Sequence, residues 1–265
     1  MGLSPIPGLI RVAGLFLIGL FLGMLAMLEL GRRLRTRRRE RGMDSEPPGL
    51  GVVDAGVFAL LGLLIAFTFS GAAARFDARR HLVIEETNDI GTAYLRLDLL
   101  PADARTELQG MFRQYLDARL AVYQNVVDQE ATRAATNKVS DLQRQIWARA
   151  VQACRQVPTT DAAMLLLPAL NAMFDITTTR TAATQIHPPT IIFALLVVVA
   201  FLCSLLAGYG MADTGSSRDW VHIIGFAVVL TVTVYVIVDL EYPRLGFIRV
   251  DSFDQLLANL RTSLQ

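Results

Sequence analysis

Two cysteines and three histidines are a thin supply of metal-binding and nucleophilic chemistry for a chain of 265 residues. Cys154 falls in a polar stretch and Cys203 in an apolar run, so neither a disulfide nor a cysteine metal framework is expected. His81, His187 and His222 all lie beside apolar runs with no nucleophile motif near them, which removes the basis for a catalytic triad. Phosphate-binding loops and dinucleotide glycine patterns are missing. His81, Glu85 and Asp89 fall four apart, the spacing of a metal half-site, yet no second cluster completes it. A net charge of +1 supplies no electrostatic footprint for nucleic acid. Strand-like alternation is absent too. The expectation is a chain with no catalytic residues, no cofactor, no metal and no nucleic-acid partner.

What the chain has is apolar length. It is 53% hydrophobic with a mean hydropathy of +0.42, too apolar for an ordinary soluble domain. The apolar residues gather into four runs, 9–30, 51–74, 190–211 and 221–238. Each is long enough as a helix to cross a hydrocarbon core of about 30 Å. The first run is read as a span and not a cleaved leader, because its apolar region is too long and its basic cluster follows it. The expected organisation is a first hairpin over 1–74 with an Arg-rich loop at 31–50, and a helical extramembrane domain over 75–189. A second hairpin over 190–238 and a C-terminal tail over 239–265 complete it. The fold class is an all-α membrane protein whose helical bundle continues from the second span, with membrane lipid as an expected partner.

Charge sets an expected orientation. Arg32, Arg33, Arg35, Arg37, Arg38, Arg39 and Arg41 crowd the first loop, and short basic loops stay cytoplasmic. The N-terminus, the helical domain and the C-terminus are then expected outside an inner membrane. The competing reading of the Arg run is a polybasic lipid or nucleotide site. Arg75, Arg79 and Arg80 follow span two, while Asp239 and Glu241 end span four, where an acid meets the negative end of the helix dipole. These groups, with Arg244, are expected either to pair between spans or to form a charged vestibule for ions. Pro243 ends the fourth helix.

Small residues suggest where helices meet. Ala55, Ala59, Gly62, Ala66, Ser70 and Ala73 recur at helical spacing along span two, and Gly19, Gly23 and Ala26 along span one. Such stripes let backbones approach within a chain or between subunits. On other faces of span two, Phe58, Leu61, Ile65 and Thr68 are spaced as either the lining of an apolar gate or a lipid-facing row. No charge lies deep in a span, which disfavours secondary transport.

The polar segment carries apolar stripes of helical period. One runs through Phe76, Val83, Ile90, Ala93, Leu97 and Leu100 to Pro101, and another through Leu108, Phe112, Tyr115, Leu120, Tyr123 and Val126. A third joins Val139, Leu142, Ile146, Ala150 and Cys154, and a fourth helix over about 161–185 is interrupted by Pro168.

The stretches "AFTFSGAAARFDARRHLVIEETNDIGTAYLRLDLLP", "YLDARLAVY", "ALNAMFDITTTRTAA" and "DLEYPRLGFIRVDSFDQLLANLR" resemble the prokaryotic bestrophin-like membrane domain family. Its most specific marks here are Glu86 and Asn88 after span two and Asp239, Glu241, Pro243, Arg244 and Gly246 near the end. The family is distantly similar to bestrophins, which are pentameric anion channels with four spans per subunit. The resemblance therefore implies a homo-oligomer, a pentamer by that parallel, passing small inorganic ions. The alternative is a non-conducting scaffold or envelope sensor whose helical domain binds a partner. Bestrophins hold their helical bulk in the cytoplasm, whereas the Arg run here argues for the other face. The proline-containing neck of their second span has no match in "FALLGLLIAFTF", so no pore residue is carried over.

Overall fold

A computed structural model of the chain describes residues 5–42, 50–124, 128–211, 220–242, 248 and 251–264. Among the described residues every regular element is helical. In chain order they are α1 (Pro5–Glu40), α2 (Leu50–Leu95), a 3₁₀ turn (Arg96–Leu99), α3 (Ala102–Gln124), α4 (Gln129–Cys154), α5 (Asp161–Gln185), α6 (Thr190–Met211), α7 (Trp220–Glu241) and α8 (Asp251–Ser263). Stretches within α1, within α2, ending with α6 and within α7 are long and apolar enough to cross a membrane. The chain divides into two compact units, one holding Pro7–Ala74 and His187–Phe247, the other holding Arg75–Ile186 and the C-terminal helix.

In the apolar unit, Leu20 and Met24 of α1 meet Leu196, Val199, Ala200 and Cys203 of α6, with Leu61 of α2 and Ala227 and Val234 of α7. The helix α1 does not stop at the end of its apolar run. Residues 31–40, expected as part of a loop, are its last turns. Arginine is a good helix former, a basic C-terminus suits the helix dipole, and Glu29 bonds Arg32 at 3.2 Å and Arg33 at 2.8 Å across one turn. Gly42, at φ +73°, closes the helix by donating its N–H to the Arg39 carbonyl at 2.9 Å.

α2 is a single helix of 46 residues, as its uninterrupted apolar stripe predicts. It tightens into the 3₁₀ turn and ends at Leu100, held extended ahead of Pro101. In the second unit Ile90, Ala93 and Leu97 pack with Leu108, Phe112, Tyr115 and Leu116 of α3, Val139, Leu142 and Ile146 of α4, and Leu166, Leu170 and Met173 of α5. The N-cap of α4 is Asp128, whose carboxylate accepts from the backbone N–H of Glu130 at 3.0 Å and Ala131 at 3.1 Å.

Two expectations need correction here. Pro168 does not interrupt α5, which runs through it. The proline has no N–H to give the carbonyl of Met164. Its neighbours Leu166, Ala169 and Leu170 are held in the core, and Arg96 donates to the adjacent Leu165 carbonyl at 2.5 Å. The C-terminal segment is also more than a tail. α8 inserts Leu257 into the core, Leu264 just beyond it does the same, and Arg261 bonds Asp117 of α3 at 2.8 Å.

Candidate functional site

The helical unit buries a carboxylate. Glu86 lies on the core face of α2, in register with Val83 one turn before and Ile90 one turn after, and it is fully shut off from solvent. Arg119 stands one turn beyond Tyr115 on the buried face of α3, and Arg180 one turn beyond Ile176 on that of α5. Both arginines reach Glu86. The Arg119 Nε donates to Oε1 at 2.5 Å and an Arg180 Nη donates to Oε2. Tyr123, on the next turn of α3, fills the space between them. Arg119 donates to its hydroxyl, which lies 3.4 Å from Glu86 Oε2. Its ring carries the guanidiniums of Arg180 at 4.0 Å and Arg119 at 5.0 Å from the centroid. Asp254 of α8 lies 3.6 Å from the second Arg180 nitrogen. Two cations and the buried Glu86 carboxylate therefore share one site, with the partly exposed Asp254 carboxylate at its edge.

Burial raises the Glu86 pKa, but the charges of Arg119 and Arg180 and the hydrogen bonds from both outweigh it, so the carboxyl sits below its ordinary range. Burial opposes the charge of Arg119, while Tyr123 and Glu86 hold it protonated. Burial and then the Glu86 charge push the Tyr123 phenol well above its usual value. Glu86 is thus held ionised, and Arg119 and Tyr123 protonated, near neutrality. The cluster ties four helices together.

The site residues expected from sequence fall in several places. Phe58 meets Phe226 edge-on at 6.3 Å, Leu61 is buried, Ile65 packs on the same core, and the Thr68 hydroxyl bonds the Leu64 carbonyl at 2.7 Å. This row is engaged inside its own protomer. Ala55, Ala59, Gly62, Ala66 and Ser70 are exposed, and a Cβ on Gly62 or on Gly19 would meet nothing within 4 Å. A Cβ on Gly23 would come within 2.7 Å of the Phe201 ring. Arg79 donates to the Ala183 and Ile186 carbonyls, each at 3.1 Å, where a cation suits the negative end of α5. Arg80 bonds Asp77 at 3.0 Å, and Arg75 is half-buried. In the other unit Asp239 and Glu241 are buried, and Glu241 lies 2.9 Å from the His187 ring, which stacks on Tyr242 at 4.7 Å. Asn88 is exposed, while Pro243, Arg244 and Gly246 lie outside the described residues.

The sequence pattern does not single out Arg119, Arg180 or Asp254, and it presents Tyr123 only as part of an apolar stripe. A usable signal existed: Glu86, Arg119 and Arg180 each occupy a position where the apolar stripe calls for a hydrophobe. A second omission is a helix crossing in the apolar unit. A Cβ on Gly31 would stand 2.0 Å from the Leu205 carbonyl oxygen, and one on Gly208 would stand 1.9 Å from that of Leu28. α1 and α6 meet there backbone to backbone.

The model of the bestrophin-like domain family matches residues 18–252. Neither the curated proteins nor the solved structures give a match.

Proposed function

Because the chain belongs to the bestrophin-like domain family, we propose that copies of it assemble around an axis into a passive channel for small anions. The observation that carries this reading is the division of α2 into two faces. Phe58, Leu61, Ile65 and Thr68 are engaged within the protomer, whereas the small-residue row from Ala55 to Ser70 is exposed. Only 6% of the apolar window of α2 is buried, against 22% in α1 and in α7. Small side chains admit close neighbours or leave room for a narrow path. The candidate lining accordingly moves from the Phe58 row to the Ala59, Gly62 and Ala66 face. No enzymatic step belongs to this reading. In the same proposal the arginine-bearing end of α1 faces the cytoplasm, with the N-terminus, the helical unit and the C-terminus outside.

Purified protein in liposomes is expected to pass chloride down its gradient. A charged thiol reagent is expected to block Ala66→Cys and to leave Leu61→Cys conducting. Failure of any ion to flow, over all salts and voltages tried, rejects the channel. A reporter fused at Asn125 reads sidedness and is expected to be active only outside.

One observation favours the scaffold as second reading. Leu95 and Leu99 at the end of α2, and Met164 and Leu165 near the start of α5, are exposed large apolar side chains, and Arg96 ties the two segments together. A soluble partner docking there would suit a non-conducting role.

A further inference from the structure

Side-chain contacts fix the order of helices around the part of α2 that enters the helical unit. Arg79 bonds the Ala183 and Ile186 carbonyls, Glu86 bonds Arg180, and Arg96 bonds the Leu165 carbonyl, so α5 runs antiparallel along one side. Tyr94 meets Phe112 at 5.8 Å and Glu86 bonds Arg119, which sets α3 antiparallel along another side. α8 lies with α3, because Arg261 bonds Asp117 and a Cβ on Gly91 would come 3.8 Å from Leu260. Between these sides α2 shows His81, Asn88 and Thr92 to solvent, while α4 packs on α3 and α5. The bundle thus has two flanks, α2 with α5 and α3 with α8.

The flanks differ in charge. Glu85 is exposed and Asp89 half-buried on the edge of α2 that also carries Arg96, the edge turned to α5. Asp175 is exposed on α5, whose one base, Arg180, is buried. Burial, then the charges of Glu85 and Glu86, hold Asp89 above the ordinary carboxylate range, so acids crowd this flank. On the other flank Arg261 and Arg113 are half-buried, with Asp117 bonded to the first and one turn from the second. Levels match as well. The antiparallel order puts Asp89, Asp175, Asp117 and Arg113 on the same side of the Glu86 cluster, within about 9 Å of it along the bundle. Other exposed residues of the flanks are uncharged, with Thr178, Thr179 and Ala182 on α5 and Leu256, Asn259 and Ser263 on α8. Such depletion of charge marks the core of protein interfaces. An acidic flank level with a net-basic one on the same body fits a second copy of this chain, joined head to tail so that the contact repeats round an axis. We propose that the α2–α5 flank of one copy packs on the α3–α8 flank of the next, with Glu85, Asp89 and Asp175 facing Arg113 and Arg261. This rests on the assembly reading above and names the surface that builds the ring.

The test uses the full chain in its membrane, with paired cysteines. Thr178→Cys and Asn259→Cys in one chain are expected, under a short bifunctional thiol reagent, to give a ladder of cross-linked species that ends at the ring size. Either substitution alone should give no dimer, and neither should wild type, whose Cys154 and Cys203 are buried. Dimers from a single substitution would mean that like faces meet, and overturn the proposal. Asp175→Lys in the paired-cysteine chain is expected to lower the ladder's yield about fivefold, and Arg113→Glu added to it to restore the yield. Thermal unfolding of each variant checks that the fold survives. No restoration in a folded double variant would reject the charge contact. Native mass spectrometry separates this failure from failure of assembly. An oligomer with no cross-link between positions 178 and 259 rejects the interface and keeps the ring, whereas a monomer rejects both.

Discussion

The two units bury their side chains by opposite rules. The helical unit hides its largest residues, Tyr115, Phe112, Ile90 and Leu97 among them, and sets the Glu86–Arg119–Arg180 charge cluster beside that core. The apolar unit buries fewer residues and displays the rest, with Leu15, Ile18, Phe67, Ile191 and Val221 all well exposed. Water around the first makes apolar burial the driving force. Lipid around the second removes it, so close backbone contact at Gly31 and Gly208 does the holding. One chain thus carries two definitions of a core, each fitted to its solvent.

The largest expected effect breaks the helical side of this contrast. Arg119→Ala leaves Glu86 buried with half its compensation, and unpaired buried charge costs about 3–5 kcal/mol. Thermal unfolding of the purified protein should show a large drop, whereas Arg119→Met together with Glu86→Leu should recover much of it. The same cluster fixes a pH response. The folded Glu86 pKa lies below its unfolded value, so its stabilisation is complete above the unfolded value and is lost as pH falls through the folded one. Unfolding monitored downward from about pH 5 should therefore steepen in wild type and lose that component in the double variant.

The apolar side breaks at its crossing. Gly208→Leu forces a side chain into the backbone of α1, and overpacking of this kind costs about 1–3 kcal/mol or more. Gly62→Ala, whose added methyl meets nothing in the protomer, should leave monomer stability unchanged. A loss of stability at Gly62 comparable to that at Gly208 would erase the distinction between the inner and outer faces. Smaller still is the α4 cap, where Asp128→Ala should cost about 1 kcal/mol. Least of all, Asp117→Asn at the half-exposed pair with Arg261 should stay within about 1 kcal/mol and shrink further in salt.

Helix positions were legible because period and solvent act locally. Val139, Leu142, Ile146 and Ala150 mark the buried face of α4 whatever they touch. The cluster at Glu86 was not, because its meaning depends on which helices face one another. Glu86 stands in the sequence only as a family mark, and Arg180, though in register with Ile176, is set among threonines that blur the apolar stripe. The stripes of small residues misled in a similar way. Gly19 and Gly62 keep helical spacing yet face away from their own chain, while Gly31 and Gly208 matter as a pair drawn from distant helices. Pro168 shows the converse, a local rule overruled by packing on both sides of it.

The Glu86 cluster has a consequence for the order in which the chain can mature. Synthesis delivers Glu86 first, then Arg119, then Arg180, and brings Asp254 only after a second hairpin has been threaded into the bilayer. Until α8 arrives, Arg180 has one counter-charge fewer and the seam beside α3 stays open to water. The helical unit of the newborn protein is therefore not finished when residues 75–186 are made; it also waits for α8, which the ribosome delivers only after α6 and α7.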